Sequence, residues 1–140
     1  MFKRIVLPLD LTDKHDSALR TAAELAKASK GTVTLLHVVE PIAGLSHEDD
    51  PKFYDRLGRA AQKHLDKLGK KLTAKRVAWQ AVLLFGHRVE ETVRYARAEK
   101  CDLIIATAPA FDPAKPAVGW GSLSFKISVL SPAPVLLVRA

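Results

Sequence analysis

Two places in this 140-residue chain combine residue types and spacing that can do chemistry. The first is Asp10, which follows the apolar run Arg4–Leu9, RIVLPL. A carboxylate just past the end of a buried strand can serve a ribose, a base or a metal. It can equally close a turn or cap a helix. The second is the run Gly119-Trp120-Gly121-Ser122-Leu123-Ser124, which precedes an apolar helical segment. Free amides at a helix amino end attract anions, and glycines let a ligand approach the backbone. Ser122 or Ser124 can donate to a phosphate there. Plain helix capping by Gly121 or Ser122 is the alternative. Trp120 can cover a ligand, pack inward or meet a second subunit, and its type does not choose among these.

Other chemistries lack their motifs. The turn LPLDLTDKHD contains no glycine, so the dinucleotide fingerprint is missing, and no Walker-type GKS or GKT occurs. There is no HExxH pair, no GxSxG elbow and no paired-acid motif, and no catalytic residue is assigned. His37 lies inside an apolar run and reads as a satisfied core histidine. His87 follows Gly86 at a strand end, where it can approach a ligand crevice. His47 with Glu48, Asp49 and Asp50 offers no fixed ligand spacing, so no metal site is assigned. Cys101 is the sole cysteine, which excludes an intrachain disulfide and a cysteine metal cluster and reads as inert.

The elements that must position these residues alternate between two periods. Arg4–Leu9 and Thr32–Val39 (TVTLLHVV) are apolar runs suited to buried strands. Between them, residues 14–29 carry Ala18, Ala22, Leu25 and Ser29 on one helical face. Thr12 or Asp13 is the expected cap, and Gly31 the expected stop through positive φ. A long helix over residues 51–71 starts with Pro51 and places Tyr54, Leu57, Ala61, Leu65, Leu68 and Leu72 on one side. Arg76–Leu84 alternates as a strand near a sheet edge. Val89–Glu99 reads as a helix, Leu103–Ala106 as a strand, Ser122–Leu130 as a helix and Val135–Val138 as a last strand. Strands alternating with helices imply an α/β fold, a doubly wound open parallel five-stranded sheet with helices on both faces. Right-handed crossovers favour strand order 3-2-1-4-5. Ligands in such sheets bind where the order reverses, which here falls at Pro8–Asp10 and Ala106–Ala110.

Hydrophobic residues are 48% and charged residues 26%, the composition of an ordinary globular domain, so residues 1–140 are expected to form one domain. No stretch approaches the ~20 apolar residues that span a bilayer, and the amino terminus meets Asp10 too early for a secretory signal. A cytoplasmic location with no membrane partner is the default expectation. The net charge is +7, and residues 51–76 alone hold nine basic and two acidic residues. The remaining residues therefore sum to zero. Lys52, Arg56, Arg59, Lys63, Lys67 and Lys70 fall opposite the apolar side of the long helix. A solvated face is the plain account, and an unidentified protein or anion is the alternative partner. Nucleic acid is not favoured, because no aromatic residues interleave with the cations to stack bases.

The order of these pieces resembles the universal stress protein family over nearly the whole chain. RIVLPLD, TVTLLHVVE, FGHRVEETVRYARAEKCDLIIA and GSLSFKISVLSPAPVLLVRA carry the resemblance. The last is the most specific, with a Gly-Ser pair, an amphipathic helix, a Pro-x-Pro turn and an apolar strand. Many members bind ATP through a pattern of Gly, two residues, Gly, nine residues, then Gly with Ser or Thr. Here Thr107 and Ala110 stand at the first two glycine positions, and ten residues separate Ala110 from Gly121. The resemblance places Asp10 near the base and ribose, Gly121 and Ser122 near the phosphates, and Ser124 beside them. It implies ATP with Mg²⁺ or Mn²⁺ as the cofactor where the pattern is intact. A Cβ at Thr107 or Ala110 and the missing amide of Pro109 work against phosphate binding, unless Lys115 turns inward. The expectation is therefore a dimeric stress-response or regulatory protein without strong ATP binding, with an adenine-nucleotide-binding member as the alternative. The resemblance also implies a homodimer through the C-terminal strand. Binding requires no positioned base, so no hydrolysis follows from it.

Overall fold

The structure is a computed structural model that describes residues 1–110, 112–115 and 122–140. The elements run β1 (Arg4–Pro8), α1 (Asp16–Ser29), β2 (Thr32–Val39), α2 (Pro51–Ala74), β3 (Ala78–Phe85), α3 (Arg88–Ala98), β4 (Leu103–Ala108), α4 (Leu123–Leu130) and β5 (Val135–Arg139). All four strand pairings are parallel, and the sheet order is β3-β2-β1-β4-β5, as the alternation of elements predicts. The register sets Val6 beside Thr34 and Ile104, and Thr107 beside Val138.

Burial on both faces explains the apolar strands. Odd-numbered residues of β1, Ile5 and Leu7, join Leu19, Ala22, Ala26, Leu65 and Leu72 under α1 and α2. Even-numbered ones, such as Val6, join Ile104, Ala96 and Ile127 under α3 and α4. These are the two sides of one sheet, so each central strand reads as a continuous apolar run rather than an alternating one.

Local signals explain most helix ends. Pro51 occupies the first turn of α2, and the Asp50 carboxylate accepts from the Phe53 amide at 3.0 Å. Two expectations are corrected. Neither Thr12 nor Asp13 caps α1; His15 holds the cap position, and its side chain makes no cap bond. Gly31 is not the left-handed residue either. Lys30 takes φ 56°, and Gly31 is needed because a Cβ there would lie 2.5 Å from the Phe2 carbonyl oxygen.

The long helix is divided as its periodicity predicts. Tyr54, Ala61, Leu65, Leu68 and Leu72 are buried, Leu57 is half-buried, and the six stripe cations are exposed. β3 and β5 form the two edges of the sheet.

Candidate functional site

The sheet order reverses between β1 and β4, and the chain leaves these strands in opposite directions. A crevice must open beyond their carboxyl ends. It is lined by Leu9, Asp10 and His15 from the β1 side, by Thr107 and Pro109 from the β4 side, and by Ser122 and Ser124 from α4. Three of the sequence-derived site residues, Asp10, Ser122 and Ser124, thus meet in one place. Gly121, with Trp120, lies outside the described residues.

Asp10 is held by its own turn. One carboxylate oxygen accepts from the Thr12 amide at 3.0 Å and from the Thr12 hydroxyl. The other faces the Lys14 ammonium at 3.0 Å. His15 Nε2 lies 2.7 Å from the first oxygen. A carboxylate only accepts, so Nε2 carries the proton that is donated. Partial burial pushes the Asp10 carboxyl upward, but the bonds from Thr12, His15 and Lys14 outweigh it and hold it well below the usual carboxylate range.

His15 is the residue that sequence reasoning missed. Its ring is 6% exposed, and its Nδ1 sits 2.7 Å from the Thr107 hydroxyl. The imidazole therefore clasps the two lips of the crevice, with Asp10 beyond β1 on one side and Thr107 in β4 on the other. The cavity that remains is about 80 Å³. Pockets that bury a small organic ligand usually measure about 300–1,000 Å³. The clasp uses the Cβ-bearing residue that stands where the resembled family has its first loop glycine. The only hint in the sequence was the nearness of His15 to Asp10.

On the α4 side, the Ser122 hydroxyl accepts from the Phe125 amide at 3.2 Å and contacts the Ser124 hydroxyl at 3.1 Å. Ser124 is buried. Capping and a place at the crevice thus coexist in Ser122. Lys115 is exposed and does not line the crevice.

The other histidines lie elsewhere. His37 is buried and bonds the Leu9 carbonyl through Nδ1 at 2.7 Å; burial lowers its pKa, which that bond only partly opposes. His87 is the cap residue of α3 and is exposed, away from the crevice. His47 stacks on Tyr54 at 5.4 Å. Among the described residues, no group of three or more His, Cys, Asp or Glu side chains could hold a metal ion. Cys101 is half-buried; burial, then the charges of Glu99 and Asp102, push its thiol up to about 11.

A parallel sheet whose order reverses at a crevice between β1 and β4 defines a doubly wound α/β protein. The sequence model of the universal stress protein family matches residues 1–139, and the chain belongs to that family. It is 31% identical over 148 aligned positions to a Thermus aquaticus universal stress protein encoded in the QAH/OAS sulfhydrylase 3′ region, covering 99% of this chain and 100% of that one. It is 26% identical over 150 positions to universal stress protein YxiE of Bacillus subtilis (strain 168), with the same coverage. Among solved structures, the hypothetical protein MJ0577 superposes with a TM-score of 0.82 at 23% identity, covering 100% of this chain and 98% of that one. A universal stress protein in complex with cAMP superposes at 0.68, covering 99% and 97%, and one from Archaeoglobus fulgidus in complex with dAMP at 0.65, covering 98% of each chain. Both are 18% identical to this chain, so they speak to the fold alone. Among the described residues no helix is long and apolar enough to cross a membrane.

Proposed function

We propose that this universal stress protein acts in the stress response as a homodimeric regulatory protein without strong ATP binding. The observation that carries the reading is the Asp10–His15–Thr107 clasp over a cavity of about 80 Å³. Thr107 and His15 fill the space between the two strand ends, and the acceptor best placed for a ribose or base already takes bonds from Thr12 and His15 at one oxygen and faces Lys14 at the other. The residues present therefore do not fit ATP as they stand. A Mg²⁺ or Mn²⁺ ion would have to ride on the phosphates and water.

The dimer reading rests on an exposed apolar edge. β5 ends the sheet, Leu136 and Leu137 are exposed at 38% and 44%, and Phe125, Val129 and Leu130 of α4 are exposed beside it. An edge strand of this kind needs pairing or cover. Light scattering at micromolar concentration checks it, and a monomer mass there contradicts it.

A second reading keeps a nucleotide in the crevice. Ser122 and Ser124 face Asp10 across it, and two structural neighbours carry cAMP and dAMP. In that case the phosphates lie at Gly121, Ser122 and Ser124, and Asp10 turns toward the ribose or base. Calorimetry of Mg²⁺-ATP with the native protein and with Thr107→Gly separates the two readings. No heat at millimolar ATP for the native chain supports the first. Binding by the native chain that a bulky replacement of Gly121 weakens supports the second.

A further inference from the structure

The strongest feature that the crevice does not absorb is the outer face of α2. Lys52, Arg56, Arg59, Lys63, Lys67 and Lys70 follow one another at intervals of three or four residues. At ~100° per residue they fall within an arc of roughly 80°, and at ~1.5 Å per residue they form a straight line about 27 Å long. The helix is two-sided, so the line points away from the core that Tyr54, Leu65 and Leu72 occupy.

Among the described residues, none of the six cations makes an ion pair. Among the described residues, the one ion pair made by α2 is Lys71 with Asp16, off the stripe. Asp66 accepts from Gln62 rather than from a lysine. Neighbouring cations three and four residues apart repel each other, so the pattern works against helix stability. The helix that carries this face packs on β3 and β2, at the far edge of the sheet from β5. Pairing of two copies through β5 would leave both stripes open.

We propose that this face docks an acidic α-helix of a partner protein, one that presents a Glu or Asp on each successive turn. The cations recur on average once per helical turn, so an acidic helix lying alongside keeps every charge in register. Two observations set a nucleic acid behind it. Asp55 and Asp66 border one edge of the line, where a duplex lying over the face would bring phosphates against them. The aromatic ring nearest the stripe, Phe53, is covered by the Arg56 guanidinium at 5.9 Å and is not free to stack a base. The stripe carries no apolar anchor, so the contact is electrostatic and salt-sensitive.

The test uses the full chain and fluorescein-labelled probes read by anisotropy. One probe is an Ala-rich helical peptide with Glu at every third or fourth position along one face. A second has the same composition with the Glu residues scattered round the helix, and a third is a mixed-sequence DNA duplex. The protein is used as it stands, with Lys52, Arg56, Arg59, Lys63 and Lys67 changed to Gln, and with five exposed cations elsewhere (Lys3, Lys27, Lys30, Lys100 and Lys126) changed to Gln. Circular dichroism confirms that each is folded. The striped peptide should bind at least about tenfold more tightly than the scattered one, and the difference should vanish in the stripe variant and persist in the control. Its affinity should fall between about 50 and 200 mM salt. Equal binding of the two peptides, equal loss in both variants, or tighter binding of the duplex than of the striped peptide overturns the proposal.

Discussion

Replacing Thr107 with Val tests the clasp directly. Valine keeps the shape and the strand preference of threonine and removes only the hydroxyl. His15 is 6% exposed, so Nδ1 would lose its hydroxyl partner in a largely buried place that only the small crevice opens to water. A buried polar atom left without a partner costs about 1–3 kcal/mol. Valine's slightly better fit to a strand returns about 0.3 kcal/mol of that. The net expectation is a loss of about 0.7–2.7 kcal/mol, or roughly 2–10 °C in Tm for a chain of this size. Urea unfolding followed by circular dichroism measures the first and a thermal scan the second. Thr107→Ser, which retains the hydroxyl, should keep more of the stability than Val does. In a His15→Phe background the same Thr107→Val change should cost little, since no ring nitrogen remains to be orphaned. Equal costs in the two backgrounds, within about 0.3 kcal/mol, would refute the clasp as an energetic link between β1 and β4.

Four further outcomes are expected. Gly69→Ala should lose stability although alanine gains about 1 kcal/mol of helix propensity, because its Cβ would lie 2.3 Å from the Trp79 ring. Gly58→Ala, whose Cβ would lie 3.3 Å from a movable Leu83 methyl, should be neutral or stabilising, and denaturant melts of the pair decide. Asp10 has a folded-state pKa below its ordinary 3.8, so its contribution is present above the carboxylate range and is lost as pH falls through the folded value. Asp10→Asn should accordingly show a shallower acid loss of stability than the native chain from about pH 5 downward, and parallel curves would contradict this. Cys101, with its thiol pushed up to about 11, should alkylate slowly near pH 8 and speed up in denaturing urea, as mass spectrometry of iodoacetamide adducts will show.

Much of the candidate site was legible before any coordinates, and the legible part has a common cause. Asp10, Ser122 and Ser124 were found because they stand at element ends, and a parallel sheet of known order gathers the ends of its central strands in one crevice. His15 was not found because its partner Thr107 is 92 residues away in sequence. The expected positive φ at Gly31 failed for a related reason. The glycine answers to the backbone of Phe2, which only the β1–β2 pairing brings beside it.

The sequence by itself determined what depends on local period and on neighbouring residues. That includes the alternation of strands and helices, the parallel sheet and its order, the start of α2 at Pro51 and the two-sided α2. Hydrophobic periodicity and short-range sterics act within a few residues, so they can be read along the chain. Tertiary structure alone decided the state of the crevice. Whether Asp10 stands free or engaged depends on where the His15 ring falls between β1 and β4, and how far Leu136 and Leu137 are exposed depends on what packs over β5. Both are contacts between distant segments, set by packing and hydrogen-bond geometry in three dimensions, and the spacing of residues along one segment does not encode them.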